Sequence, residues 1–269
     1  MRIYVCVKQV PDTSGKVAVN PDGTLNRASM ETIINPDDLM AMEQALTIKD
    51  ENPEACQVTA VTMGPPPAEN MLRELLAMGA DDAVLISARE FGGSDTFATS
   101  QIIAGAIHYL GLGEEDLIFC GRQAIDGDTA QVGPQIAEKL DIPQVTYSSE
   151  IIKKGKKVRV KRMLEDGFMN IEVETPVLIT CMKEQDSVTR YMTLNGINTC
   201  YQKPLLVLDY EILKAEPLIE ADTIGLKGSP TNIFKSFTPP IKGAGTILQG
   251  TEQEKAKNLA EILVTQHII

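Results

Sequence analysis

Short apolar runs alternate with helical patterns along residues 1–147. This alternation is the sequence feature that most limits the possible folds of the chain. Strands are predicted for Ile3–Val7, Gln57–Met63, Ala83–Ile86, Leu117–Cys120 and Gln144–Tyr147. Helices are predicted between them for Asp37–Lys49, Ala68–Met78, Asp95–Leu110 and Thr129–Leu140. Strands that alternate with helices through short loops form a parallel sheet with helices on both faces. We therefore predict an α/β fold with a doubly wound parallel sheet.

The pattern changes after residue 147, where an antiparallel addition to the sheet is predicted. Glu150–Arg162 and Phe168–Glu174 have strand-like patterns on either side of a turn signal at 165–167, which indicates a hairpin. Val177–Cys181 follows as a further buried strand. The hairpin would therefore extend a sheet that is otherwise parallel.

Residues 186–269 follow the α/β domain, residues 1–185, and show little periodicity before a final helix predicted for Glu252–Val264. A weakly patterned segment of this length is uncommon inside a self-contained domain. It carries too many large apolar residues to be disordered, among them Leu205, Leu206, Val207, Leu208, Ile233, Phe234 and Phe237. We predict an arm that packs against another subunit, and an arm folded on its own domain is the alternative.

The charge of the chain argues against a nucleic-acid partner. The formal net charge is −12, whereas phosphate backbones are bound by clustered cations. One basic cluster lies in the predicted hairpin, at Lys153, Lys154, Lys156, Lys157, Arg159, Lys161 and Arg162. It straddles Gly155 and is typical of a solvated hairpin face, or of a surface that docks an acidic partner.

The cysteines and the apolar runs indicate the compartment. The five cysteines are far apart and form no CxxC pair, which favours a reducing environment and gives no case for a metal centre. Met1 leads at once into a strand rather than a signal peptide, and no apolar run reaches membrane-spanning length. We expect a cytoplasmic protein without membrane insertion.

The run from Gly121 to Pro134 follows a predicted buried strand and leads into a helix. A loop of small residues at this place leaves main-chain N–H groups free to bind phosphate, helped by the helix dipole. Asp128 or Thr129 can cap the helix, with Gln131 completing a capping box. Either the first turn is irregular or the helix starts at Pro134. The alternative for the whole run is an ordinary tight βα turn.

Four further loops fall at strand ends or helix starts. They are Lys8–Pro11 with Asp12, Asn35–Asp38, Met63–Pro65 and the Gly92–Thr96 loop before the third helix. Acidic residues at a helix start are commonly dipole-favoured caps, and that interpretation applies to Asp37, Asp38 and Asp95. Loops that converge on one sheet edge, however, define a nucleotide crevice by the switch-point rule.

Signatures of an acid–base enzyme are scarce. The two histidines, His108 and His267, are poorly placed for a triad, and no HExxH, Walker A or GxGxxG motif occurs. The residues alone thus predict a nucleotide-binding α/β subunit without catalytic side chains. Any redox chemistry would be carried by a bound cofactor.

Several segments together resemble the β subunit of electron transfer flavoproteins. The strongest runs from Val160 through Asp166-Gly167 to Glu172-Val173-Glu174-Thr175-Pro176-Val177-Leu178-Ile179-Thr180. Others are Val5–Val10, Asn35-Pro36, Ala77–Asp81 and Gly121–Asp126, so the likeness covers residues 1 to about 200 and weakens toward the end. The resemblance implies the adenine-nucleotide-binding sheet shared with universal-stress proteins, in a heterodimer whose homologous α subunit carries FAD.

The resemblance also implies the site residues. Carried over by motif, the nucleotide site comprises Cys6, Asn35, Pro36, Asp37, Asp38, Met63 with Gly64, and Gly121, Arg122, Gln123, Ala124, Ile125, Asp126, Gly127, Asp128, Thr129, Ala130, Gln131 and Val132. The matching recognition segment at 190–195 nominates Leu194 as an anchor for the partner dehydrogenase, an ordinary core leucine being the alternative.

Two branches of the family compete for this chain. In one the β subunit holds a structural AMP; in the electron-bifurcating branch it holds FAD that oxidises NADH. The small residues from Gly127 to Pro134 favour the bifurcating branch, because they leave space for a dinucleotide. The flavin ring would then lie near Asp95, Thr96 and Thr99, with ferredoxin or flavodoxin and an acyl-CoA dehydrogenase as electron partners, and redox activity only within the complex. A stand-alone adenine-nucleotide sensor of the universal-stress type is a third hypothesis.

Overall fold

The computed structural model describes residues 1–12, 31–184, 186–231, 243 and 245–269. The strands of these ranges are β1 (Arg2–Cys6), β2 (Gln9–Pro11), β3 (Thr32–Ile34), β4 (Gln57–Met63), β5 (Asp82–Ile86), β6 (Leu117–Gly121), β7 (Gln144–Lys154), β8 (Lys157–Met163), β9 (Phe168–Glu174), β10 (Val177–Cys181) and β11 (Leu205–Leu208). The α-helices are α1 (Pro36–Glu51), α2 (Glu69–Met78), α3 (Thr96–Leu110), α4 (Val132–Lys139), α5 (Leu194–Thr199), α6 (Tyr210–Leu213), α7 (Gly225–Gly228) and α8 (Glu252–Thr265).

The predicted α/β fold is confirmed. One sheet has the strand order β11-β5-β4-β1-β6-β10-β7-β8-β9, parallel from β11 to β7 and antiparallel from β7 to β9. In the centre, Val5 of β1 pairs with Ala60 of β4 on one side and with Phe119 of β6 on the other. The chain therefore builds outward from β1 through β4 and β5, then crosses to the opposite side of β1 to form β6.

Two apolar cores cover the two faces of the sheet. Alternate residues of β1 point to opposite faces, so Ile3 and Val5 pack with α1 and α2, whereas Tyr4 and Cys6 pack with α3 and α4. Complete burial of a large aliphatic side chain contributes about 1.5–3 kcal/mol. The central strands are buried on both faces, which explains their continuous apolar sequences.

The antiparallel addition is larger than the predicted hairpin. β7 continues from Gln144 to Lys154, turns at Gly155 with φ +58° and pairs with β8, which pairs in turn with β9. The basic cluster straddles Gly155 as predicted, but it lies in a three-stranded meander. Glu172 of β9 forms an ion pair with Lys157 at 2.7 Å, so this carboxylate offsets part of the positive charge of the cluster.

The predicted start of the fourth helix is wrong. α4 begins at Val132 rather than Thr129, because Asp128 (φ +49°) and Ala130 (φ +52°) have left-handed backbone that an α-helix excludes. Gln131 is the residue before the helix and makes no side-chain cap, so the predicted capping box does not form. Pro134 is the third helical residue, where a missing N–H removes no intrahelical bond.

Two other segments differ from expectation. The predicted loop Lys8–Pro11 contains β2, which pairs with β3 in a small antiparallel ribbon. Leu205–Leu208, expected in the arm, forms β11 and pairs in parallel with β5, so the sheet extends past residue 185. Leu205–Leu208 hydrogen-bond to the free edge of β5, and the local sequence did not indicate this pairing.

The final helix is confirmed as α8, and none of its residues is buried. Its apolar residues Leu259, Ile262 and Val264 are 49%, 39% and 57% exposed. Ile233, Phe234 and Phe237, also assigned to the arm, lie outside the described residues. Within the described ranges, no helix has the length and apolar character needed to cross a membrane.

Candidate functional site

A cavity of about 350 Å³ lies at the carboxyl ends of the central strands. Its walls come from the loops after β1, β4 and β6 and from the start of α3. β1 and β6 are neighbours at which the winding of the sheet changes direction, and ligands of open α/β sheets bind at this switch point. The cavity thus lies at the sheet position where the switch-point rule predicts a ligand-binding crevice.

Most of the predicted site residues line this cavity. They are Cys6, Asp38, Met63, Asp95, Thr96, Thr99, Gly121, Arg122, Gln123, Ala124, Gly127, Thr129, Ala130, Gln131 and Val132. The remaining predicted residues do not line it: Asn35, Pro36, Asp37, Gly64, Ile125, Asp126 and Asp128. Several of this second group hold the lining residues in place, as the contacts below show.

Asp38 joins three elements at the floor of the cavity. Its Oδ2 accepts a hydrogen bond from Lys8 N at 2.8 Å, and its Oδ1 accepts one from Gly121 N at 2.9 Å. A Cβ on Gly121 would lie 2.2 Å from Asp38 Oδ1, so only glycine fits there. Burial raises the pKa of Asp38 to about 7, against the lowering effect of these hydrogen bonds. Asp38 therefore holds the ends of β1 and β6 together, whereas its position at the start of α1 had allowed the interpretation of a dipole-favoured cap.

Asn35 and Asp37 support the loop after β6 from outside the cavity. Asn35 Nδ2 donates to Gln123 O at 2.8 Å, and its Oδ1 accepts from Ile125 N at 3.1 Å. Asp37 Oδ2 lies 3.2 Å from Arg122 Nε, close enough for an ion pair but without the angle of a hydrogen bond. The start of α1 thus fixes the shape of the loop.

The loop of residues 122–131 is also held from its other sides. Lys8 Nζ donates to both carboxylate oxygens of Asp126 at 2.8 Å, which connects the loop to the end of β1. Thr96 Oγ1 donates to Gln131 Oε1 at 3.0 Å, which connects it to α3. Asp128 and Ala130 of this loop have left-handed backbone, and non-glycine residues held in that conformation are typical of functional loops.

Two thiols lie side by side at the cavity floor. Cys6 and Cys120 are partners on neighbouring parallel strands, and both line the cavity. A hydrogen bond between the thiols and their burial raise the pKa of Cys120. The Cys120 thiol is therefore uncharged at neutral pH, and both side chains pack as small groups at the floor.

Beyond the individually predicted site residues, the cavity is lined by Val7, Lys8, Ser94, Ile103, Cys120 and Gly133. Lys8, Ser94 and Gly133 belong to loops that were predicted to form the crevice, whereas Val7, Ile103 and Cys120 do not. Lys8 has the clearest signal in the sequence, because it is a cation directly after a central strand. Ile103 is seven residues beyond the start of α3, and only the packing of that helix brings it to the cavity. A Cβ on Gly133 would lie 2.8 Å from Thr180 Cγ2, so this glycine lets α4 approach the sheet closely.

Leu194 lies in a separate exposed surface. Its side chain is 83% exposed, so the interpretation as a core leucine is wrong. Arg190, which ion-pairs with Glu43 at 2.9 Å, and Gly196, whose Cβ would lie 2.0 Å from Ala77 O, hold this segment against α1 and α2. The neighbouring exposed apolar side chains are Val188, Tyr191, Met192, Ile197 and Tyr201.

The comparison with known proteins identifies the family of the chain. A family model described as the electron transfer flavoprotein domain matches residues 22–193. The chain is 76% identical over 269 residues to the acryloyl-CoA reductase electron transfer subunit gamma of Anaerotignum propionicum, with both chains covered completely.

Two further relatives are matched over their whole length and over all of this chain. Identity is 49% with the caffeyl-CoA reductase–Etf complex subunit CarD of Acetobacterium woodii. It is 48% with the electron transfer flavoprotein subunit beta of Thermoanaerobacterium thermosaccharolyticum. On the strength of the matched domain, these identities and the α/β fold, the chain belongs to the electron transfer flavoprotein family, as a β subunit.

Proposed function

We propose that the cavity between β1 and β6 binds FAD in a heterodimer with an electron transfer flavoprotein α subunit. When bound, FAD would supply the chemistry of electron bifurcation, in which hydride is taken from NADH and its electrons are divided between the α-subunit FAD and ferredoxin or flavodoxin. The observation that carries this proposal is the convergence of the predicted phosphate loop, the end of β1 and the start of α3 on one cavity at the switch point.

The loop residues are suited to a phosphate or pyrophosphate group. Gly127 lines the cavity, and a Cβ added to it would meet no atom within 4 Å, so there is open space beside the backbone. Val132 and Gly133 begin α4, and their N–H groups have no partner within the helix. These donors and the helix dipole favour a phosphate group.

Side chains of the cavity complete the proposed site. Thr129 and Gln131 are placed to donate hydrogen bonds to a pyrophosphate, while the ammonium group of Lys8 is paired with Asp126 and holds the loop. Thr96 and Thr99 present hydroxyl groups at the start of α3, where we propose that the flavin ring lies. Hydride transfer between nicotinamide and flavin needs no protein base, so a cavity lining without histidine is suitable.

AMP is the second candidate ligand, and the size of the cavity favours it. A volume of about 350 Å³ is at the lower end of the range for small-molecule sites. It suits a mononucleotide, whereas the remainder of FAD would extend toward the α subunit. Structural AMP would make this chain the non-bifurcating type of β subunit.

The electron partners are proposed from the relatives. Relatives named for an acryloyl-CoA reductase and for a caffeyl-CoA reductase–Etf complex support a partner that acts on acyl-CoA thioesters. We propose an acyl-CoA dehydrogenase, docked at Leu194, and an α subunit packed against the C-terminal part of residues 186–269. The five buried, unpaired cysteines support a cytoplasmic location.

Co-expression with the α subunit tests the proposal by a count of nucleotides in the purified heterodimer. We expect two FAD molecules per heterodimer and reduction of flavin by NADH. One FAD with one AMP would contradict bifurcation and establish the second candidate. A monomeric chain that stays flavin-free and does not bind the α subunit would instead support the nucleotide-sensor hypothesis.

A further inference from the structure

The carboxylate of Asp95 forms hydrogen bonds in two directions at the edge of the cavity. Its Oδ1 accepts from Ala98 N at 3.0 Å and caps α3. Its Oδ2 accepts from both Thr231 N at 2.9 Å and Thr231 Oγ1 at 2.6 Å. Asp95 N donates to Ser229 Oγ at 2.8 Å. A segment more than 130 residues further along the chain thus engages a cavity residue at three points.

This segment, residues 224–231, is here named the strap, and it packs closely on the loop before α3. Leu226 N donates to Gly92 O at 3.0 Å. Gly225 has φ +64°, and a Cβ there would lie 2.1 Å from Glu90 O. The strap therefore has no room to move toward the loop, and its contact with Asp95 is fixed by backbone packing.

Asp95 is an unfavourable residue for a site that binds phosphate. Burial acts to raise the pKa of Asp95, but the hydrogen bonds from Thr231 and Ala98 outweigh it, so the pKa is lowered. The carboxylate is then charged at neutral pH. The neighbouring Thr96 contacts Gln131 of the proposed phosphate loop at 3.0 Å, so an unshielded negative charge on Asp95 would repel phosphates held by that loop. Asp38, the other acidic residue that lines the cavity, already has hydrogen bonds from Lys8 and Gly121 on its two oxygens.

We propose that Thr231 is a positioning residue: it holds Oδ2 of Asp95 against the strap, so that the carboxylate is shielded from phosphates bound in the cavity. The proposal rests on the proposed nucleotide function and extends it to the C-terminal part of the chain. Loss of the Thr231 hydroxyl would leave Oδ2 with one donor instead of two. The freed charge would then weaken ligands in proportion to their own negative charge.

The test compares ligands of increasing charge on the full chain freed of copurified nucleotide. Dissociation constants for adenosine, AMP and ADP are measured by calorimetry on wild type, Thr231→Val and Thr231→Ser. Thr231→Val should weaken ADP about tenfold and AMP about fivefold, and it should leave adenosine unchanged. Thr231→Ser keeps the hydroxyl donor and should restore binding to within about twofold of wild type.

Thr223→Val is the matched control, because the Thr223 hydroxyl donates only to Glu220 O, at 3.0 Å, just ahead of the strap. It should bind all three ligands like wild type, and the melting temperature of each variant shows that it is folded. Equal weakening of adenosine and ADP by Thr231→Val would overturn the shielding role, as would unchanged ADP binding. Failure of wild type to bind any of the three would overturn the nucleotide function and the shielding role together.

Discussion

Gly121 N donates a hydrogen bond of 2.9 Å to Asp38 Oδ1, which joins the end of the central strand β6 to the first turn of α1. Because Asp38 also binds the main chain of Lys8, one buried carboxylate fixes both loops that meet at the switch point. These two hydrogen bonds give the cavity floor a fixed shape, and a site built in this way reduces the ordering cost of binding.

Gly121→Ala should destabilise the protein by about 1–3 kcal/mol, because overpacked side chains force backbone shifts. The added Cβ would lie 2.2 Å from Asp38 Oδ1 and 2.7 Å from Asp38 N. Urea unfolding measures the change. Gly127→Ala is the matched control, since its Cβ meets nothing within 4 Å. Equal stability of the two variants would show that the Asp38 contact is misplaced.

Asp38 should make stability depend on pH in a defined direction. Its pKa is about 7 in the folded protein against 3.8 for the free group, so the folded state binds more protons between these values. The stabilisation is thus complete below pH 3.8 and is lost as pH rises toward 7, by about 4 kcal/mol at most. Urea unfolding of wild type and Asp38→Asn across this window should give curves that diverge. Parallel curves would disprove the assignment.

Gly127→Val should remove the nucleotide of this subunit and leave the α-subunit FAD bound. The branched side chain would fill the open space beside the loop backbone, where we propose that the pyrophosphate lies. Nucleotide analysis of the purified heterodimer measures the loss. Gly167→Val is the control, because Gly167 lies in the turn between β8 and β9 and also has free space around its Cβ. Retention of both nucleotides in Gly127→Val would place the site elsewhere.

Leu194→Ala should slow electron transfer to the partner dehydrogenase without a change in melting temperature. An 83% exposed side chain contributes little to folding, whereas an exposed apolar residue on a rigid segment is suited to docking. We expect at least a tenfold loss of partner reduction rate, equivalent to about 1.4 kcal/mol. Leu206→Ala, at an exposed position of β11, is the control. If both variants transfer electrons at the wild-type rate, Leu194 is not the anchor.

Local sequence was sufficient for the central sheet and most of its helices. β4 has the predicted bounds, and α3 begins one residue after the predicted Asp95, whose side chain caps it. These elements have strong periodicity and clear caps, so neighbouring residues specify them. The start of α4 was misplaced because Asp128 and Ala130 adopt left-handed backbone, and only the contacts of their loop select that conformation.

Part of the candidate site could also be predicted from the order of the strands. Loops at the carboxyl ends of parallel strands meet at one edge, so the residues after β1 and β6 could be placed together from their order in the chain. Ile103 and Cys120 were missed, since cavity lining depends on which way a side chain points. The strap was missed entirely, because nothing in the sequence near Thr231 indicates a bond to Asp95.

The sequence by itself determined the alternation of strands and helices, the parallel sheet and the family, since these follow from periodicity and from motifs in a fixed order. The tertiary structure decided that Leu205–Leu208 pair with β5 and that Leu194 is exposed. It also decided the hydrogen bonds between Gly121 and Asp38 and between Thr231 and Asp95. Each of these depends on residues that lie far apart in the chain. These contacts stabilise the protein only when the fold brings the two partners together, so local sequence patterns do not predict them.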